Sequence, residues 1–207
     1  MVFGQMTLDL PAGEDKQMYL FFDTETTGLP RNYQAPVSDS RNWPRVVQIA
    51  WLITDAEGSE QKSAEYIIKP QGFVIPIEAT RIHGISNEVA NRQGVELGPV
   101  LEEIIADLAQ ARVLVAHNMD FDEKIVGAEF FRWGQPNHLA KKKKVCTMKS
   151  TTDFCQLPGL YGYKWPRLEE LYKRLFGEDF VNGHQALADV RACARCYFEL
   201  RRLGNLD

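Results

Sequence analysis

Tyr19-Leu20-Phe21-Phe22 puts aromatic and aliphatic side chains at consecutive positions, so a strand there is apolar on both faces and belongs in the middle of a covered sheet. The run ends at Asp23-Thr24-Glu25-Thr26-Thr27-Gly28, where a turn begins. Pro30 to Pro44 holds three prolines and almost no periodicity, which predicts a long loop beside the end of that strand. Val46 to Ile53 predicts a second strand, Asp55 to Gly58 a hairpin turn and Ser63 to Lys69 a third strand, together a meander. Leu101, Ile104, Ile105 and Leu108 recur at helical spacing within Val100 to Ala109, and Val113 to Ala116 follows as a short buried strand. Phe121 to Phe131 is helix-like, Val145 to Met148 a short strand, and Pro158 to Pro166 a second irregular, aromatic-rich stretch. Arg167 to Phe176 predicts a helix stopped at Gly177, and Gln185 to Leu203 a long helix without Pro or Gly. Strands first, then alternating helix and strand, then terminal helices predict an α/β fold: a mixed sheet with helices on both faces. Residues 1–17, polar and interrupted by Pro11 and Gly13, read as a flexible tail, and residues 18–207 as one domain.

Composition narrows the class. A chain of 207 residues, 44% hydrophobic and 25% charged, has ordinary globular usage, which excludes a disordered, collagen-like or coiled-coil protein. Its 24 Lys and Arg against 28 Asp and Glu leave a net charge of −4, so no global positive field draws in nucleic acid and a polyanion must be held locally. No secretory signal and no apolar stretch of about 18 residues is present, so the expected location is the cytoplasm, with no membrane contact. The 4 cysteines follow no framework spacing and fit free thiols in a reducing compartment.

Chemistry enters where apolar strands give way to polar residues. Asp23 and Glu25, at i and i+2, point to the same face of the first strand. Carboxylates that close repel each other unless one is protonated or a cation sits between them, and hard oxygen ligands suit Mg²⁺ or Mn²⁺. Alone, the pair also describes an exposed strand end. In Ala116-His117-Asn118-Met119-Asp120-Phe121-Asp122, Asn118 or Asp120 suits a helix N-cap, Asp120 being read that way first. Asp122 falls in the first turn, favoured there by the helix dipole or by a metal. His184 and Asp189 flank the start of the last helix, where a histidine can take a proton from water and an aspartate can bind a cation. A surface His and a helix-start Asp are the plain alternative.

In this order, Asp23 to Gly28, His117-Asn118 to Phe121-Asp122, and His184 with Asp189 resemble the three motifs of the DEDDh exonucleases. These are 3′-to-5′ exonucleases of ribonuclease H-like fold that include the proofreading epsilon subunits of bacterial DNA polymerase III and ribonuclease T. Glu78 to Ser86 (EATRIHGIS) also resembles a family segment, and the match runs from about Tyr19 to Leu203. The resemblance implies a ribonuclease H-like sheet and a phosphodiester hydrolase that releases nucleoside 5′-monophosphates from DNA 3′ ends in replication or repair. It makes Asp23, Glu25, Asp122 and Asp189 ligands of two Mg²⁺ or Mn²⁺ ions and His184 the general base. Glu78 and His83 would contact the nucleotide, and Thr26 would help hold it. Single-stranded DNA is the favoured substrate, RNA trimming the alternative. A non-catalytic clamp- or polymerase-associated binding module is a rival of another class, but it has no evident need for four converging carboxylates and a base. The Pro30 to Pro44 insertion departs from the family pattern and leaves substrate preference open.

Smaller signals remain. Gln5-Met6-Thr7-Leu8-Asp9-Leu10 has the Gln-x-x-Leu-x-Leu form of peptides that dock on the bacterial sliding clamp, with Leu8 and Leu10 as anchors. Because the chain carries no polymerase domain of its own, proofreading would require a DNA polymerase as partner. Lys141 to Lys144 suits a solvated loop or a phosphate contact. Cys193 and Cys196 read as buried helix thiols rather than a zinc site. Trp43, Trp165 and Tyr163 lie in irregular segments and suit base stacking or loop packing, while Phe21, Phe22 and Trp51 are assigned to the core.

Overall fold

The computed structural model describes residues 17–180 and 185–206. Gln5, Leu8 and Leu10 of the tail, and His184, lie outside them. β1 (Tyr19–Thr26) is the middle strand of a five-stranded sheet, between β2 (Val46–Thr54) and β4 (Val113–Ala116), with β3 (Glu60–Ile67) beyond β2 and β5 (Lys143–Cys146) beyond β4. β1, β2 and β3 pair antiparallel as the expected meander, and β4 and β5 add in parallel to β1. Parallel neighbours require crossovers. α3 (Leu97–Gln110) and α4 (Met119–Arg132) flank β4 in the chain and cover one face of the sheet. α7 (Leu168–Phe176) and α8 (Ala186–Arg202) cover the other, and α1 (Ile77–His83) and α2 (Asn87–Gln93) pack on Val47 of β2.

The two-faced apolar pattern of β1 explains this layering. Leu20 and Phe22 pack among Ile104, Leu108 and Ile125, whereas Tyr19 and Phe21 pack among Val190, Cys193 and Tyr197. Each such side chain, taken fully out of water, contributes about 1.5–3 kcal/mol. Trp51 is also wholly buried, and its indole N–H donates to Asp107 at 2.7 Å, a carboxylate that Lys62 pairs at the same distance. Cys193 and Cys196 are buried free thiols, as expected of helix positions facing the sheet.

Several elements differ from expectation. β3 begins at Glu60 and ends at Ile67 rather than running Ser63 to Lys69, because pairing with β2 starts immediately after the turn, Thr54 facing Glu60. β5 ends at Cys146, where its parallel partner β4 ends, and Thr147 and Met148 open α5 (Thr147–Ser150) instead of extending the strand. After α6 (Thr152–Cys155), the irregular stretch contains a small hairpin of β6 (Pro158–Gly159) and β7 (Gly162–Tyr163). Lys142 donates to the Ala111 carbonyl at 2.7 Å and Lys144 pairs Glu123 at 3.1 Å, so these two lysines fasten β5 rather than wait for phosphate. α7 stops at Gly177 as expected, in a left-handed conformation (φ 74°) that glycine adopts without strain.

The Pro30 to Pro44 loop is packed, and Trp43 within it is a core residue, 3% exposed, its indole N–H donating to the Pro36 carbonyl at 3.0 Å. It is therefore closed to nucleobases. The anchor is Glu129 of α4, buried, which accepts from Arg45 at 2.8 Å, Arg132 at 3.1 Å and the Val46 N–H at 3.1 Å. Arg132 in turn donates to the carbonyls of Ser40 and Trp43. Breaking a buried pair strands its partners' charge, which costs about 3–5 kcal/mol. Glu129→Ala should lower the unfolding free energy by that amount in urea titration, whereas an ordinary exposed glutamate on the same helix should cost under about 0.5 kcal/mol.

Candidate active site

Alternation along β1 sorts its polar end into two sets. Asp23 and Glu25 follow Phe21 toward the α8 layer, and Thr24 and Thr26 follow Phe22 toward the α4 layer. Asp189, in the first turn of α8, meets the first set: ligand oxygens of Asp23, Glu25 and Asp189 all lie within 4.8 Å of one another. Asp122 arrives from the opposite layer. It is buried at 2% exposure and its Oδ1 accepts from the Thr24 N–H at 3.0 Å and the Thr24 hydroxyl at 2.7 Å. Asn118 makes that approach feasible by adopting a left-handed conformation (φ 79°), so the chain turns from β4 into α4 within two residues.

The electrostatics are those of crowded acids. Burial, then the charges of Asp122, Asp189 and Glu25, push the Asp23 carboxyl well above its ordinary range. Burial, with Asp189 and Asp122, raises Glu25 to about 8. Burial raises Asp122 to about 7 even though both Thr24 hydrogen bonds oppose it. Clustered carboxylates that resist ionisation are the donor set of a hard divalent cation, whose charge removes the repulsion.

The other expected residues fall as follows. Thr26 is buried at the strand end, its hydroxyl donating to the Gly28 carbonyl at 2.7 Å. Glu78 is exposed on α1, and His83 is buried at the end of that helix, its Nδ1 accepting from the Ile85 N–H at 3.1 Å. α1 sits on Val47, next to the β2 residues that pair with Glu25 and Thr26, hence at the carboxylate end of the sheet, but neither residue joins the three-carboxylate cluster. Asn118, not Asp120, is the N-cap of α4; Asp120 is paired with Lys149. Two contributors lie within the sequence motifs without a role of their own there. Thr24 is hidden between two acids and holds a third. His117, held neutral with its pKa lowered to about 4 by burial, links Thr147 and the Pro166 carbonyl at 3.0 Å each.

A mixed sheet with an acidic end on its middle strand is the ribonuclease H-like nuclease scaffold. The profile of the RNase_T family, described as Exonuclease, matches residues 20–197, and the chain belongs to that exonuclease family. Among its relatives, the uncharacterized exonuclease CP81 of Escherichia phage 186 is 28% identical over 180 residues, 83% of this chain and 82% of its own. The DNA polymerase III epsilon subunit of Treponema pallidum is 27% identical over 182 residues, 85% of this chain and 73% of its own. E. coli exonuclease I in complex with a dA16 oligonucleotide superposes with a TM-score of 0.72 at 20% identity, over 90% of this chain. A zinc-bound complex of exonuclease I with single-stranded DNA gives the same score at 22% identity over 91%. This chain spans 41% of the length of those structures.

Raised acid pKa values fix a sign. Between the ordinary carboxylate range and about pH 8, the metal-free native state holds protons that the unfolded chain has lost, so its stability falls as pH rises through that window. Thermal unfolding in EDTA should show Tm decreasing from pH 5 to 8. Mn²⁺ should flatten the decline, with protons released on binding in calorimetry run in two buffers.

Proposed function

We propose that this exonuclease is a divalent-metal-dependent 3′-to-5′ enzyme that hydrolyses phosphodiesters at the 3′ end of DNA and releases nucleoside 5′-monophosphates in replication or repair. The observation that carries the reading is the convergence of Asp23, Glu25 and Asp189 within 4.8 Å, with Asp122 tied to the same strand through Thr24. These four carboxylates would hold two Mg²⁺ or Mn²⁺ ions. Bound there, the ions would neutralise the scissile phosphate, acidify the attacking water and stabilise the departing 3′-oxygen.

The chain's own residues supply the rest. His184 takes the proton of the attacking water, with Asp189 five residues further on in α8. Thr26, Glu78 and His83 hold the terminal nucleotide at the acidic end of the sheet. Thr24 keeps Asp122 at its station, because its N–H and its hydroxyl both bind the same carboxylate oxygen and tie it to β1. Residues 18–207 form the exonuclease domain, and residues 1–17 a tail that reaches a sliding clamp through Gln5, Leu8 and Leu10. A DNA polymerase is the natural partner, in keeping with the name of the Treponema relative, and the cytoplasm the natural compartment. Among the described residues, no helix is long and apolar enough to cross a membrane.

A 5′-labelled oligodeoxynucleotide should shorten from its 3′ end in Mg²⁺ or Mn²⁺ and persist in EDTA. Asp23→Ala should cut the rate about a thousandfold or more, since metal-borne charge stabilisation amounts to several kcal/mol. The same variant should melt higher than the parent in EDTA, because one of the repelling acids is gone. Near-normal cleavage by Asp23→Ala would overturn the assignment.

A further inference from the structure

We infer that Trp165 is a stacking platform for the nucleobase immediately upstream of the scissile phosphate, and that it draws this site toward single-stranded ends. The inference rests on the proposed exonuclease reading and deepens it. A cavity of about 470 Å³ opens beside the carboxylates, with Asp23 and Asp189 at its wall, and Trp165 lines it together with Asn118 and Met148. A second cavity, of about 390 Å³, shares those same three residues and continues to Tyr33 and Lys149. Each is large enough for a nucleotide-sized ligand. Trp165 thus stands at the junction of a groove that begins at the catalytic carboxylates and leads away from them.

Direction follows from what the groove lacks. None of Thr26, Glu78 and His83, the residues proposed for the terminal nucleotide, lines either cavity. With the scissile phosphate at the carboxylates and the terminal nucleotide toward Thr26, the remaining strand has to leave on the Trp165 side. Its first base then meets an indole that is 58% exposed, although the residue after it is anchored. The anchor is His117, whose ring N–H donates to the Pro166 carbonyl at 3.0 Å, one residue from Trp165. Lys149 lies over the indole, 5.6 Å from the ring centroid, and lines the second cavity, where it is paired with Asp120. A base can lie on an indole only after leaving its own duplex stack, which is why such a platform selects frayed or single-stranded ends.

The test is anisotropy of 5′-fluorescein oligothymidylate with phosphorothioate linkages at its 3′ end, in Mg²⁺, for the full chain and two variants. Trp165→Ala should weaken Kd about tenfold, and Trp165→Phe, which keeps an aromatic face, should recover most of it. On cleavable oligothymidylate, Trp165→Ala should raise KM about tenfold with kcat within about twofold. Unchanged Kd in Trp165→Ala overturns the platform, as does a loss confined to kcat or a blunt duplex that competes as well as the single strand. A parent protein that binds the strand through Trp165 yet never shortens it would sustain the platform and overturn the exonuclease reading.

Discussion

Repulsion between acids is the constraint around which this molecule is arranged. Asp23 and Glu25 share one face of β1, Asp189 is brought within 4.8 Å of both, and Asp122 is pressed against the same strand from the other side. Water would screen such a group; burial instead makes the Asp23, Glu25 and Asp122 carboxyls harder to ionise. A scaffold that keeps them together without metal must be stable for other reasons. Those reasons lie at the opposite end of the same strand, where Tyr19 to Phe22 are buried in both layers, each face against its own helices. The apolar half of β1 holds the acidic half in place.

Because β1 is covered on both faces, ligands can reach its end from two directions. α8 delivers Asp189 on the Asp23 and Glu25 face, and α4 delivers Asp122 on the other. Pleat alternation would separate these two sets. Thr24 closes the gap, since its backbone N–H lies in the sheet plane and its hydroxyl on the α4 face, and both bind Asp122. An alanine there would leave the N–H contact and remove the stronger directional one. The site is thus tied to the sheet from both layers.

Much of this was legible in residue order. The unbroken apolar run of β1 told of a middle strand, and its acidic end, read with Asp122 and Asp189, told of converging carboxylates: Asp23, Glu25 and Asp189 do come together, and Asp122 reaches the same strand through Thr24. What was illegible depended on partners distant in sequence. Trp43 looked like a surface aromatic because its loop is rich in Pro and polar residues; it is buried because Arg132, 89 positions away, holds its carbonyl and pins the loop to α4. Val145 to Met148 looked like a strand by composition, but a strand lasts only as long as its neighbour, and β4 is four residues long. Thr24 lay inside the first motif without a role of its own, its value lying in hydrogen bonds to a residue 98 positions on.

A net charge of −4 and a cluster of acids make an unwelcoming surface for a polyanion, and several of the positive residues are already engaged. Lys142 and Lys144 fasten β5, Arg45 and Arg132 are held by Glu129, and Lys149 faces Asp120. Long-range attraction is therefore weak, and grip on a strand has to come from short-range contacts that do not rely on charge. Cations in the carboxylate cluster would supply one at the scissile phosphate. Aromatic faces supply another, and exposed Trp165 and Tyr33 line the groove that leads away from that cluster. An enzyme that worked this way would ignore nucleic acid that cannot offer both a phosphate at the acids and an unstacked base beside it, so a selectivity for ends would follow from what it declines to attract.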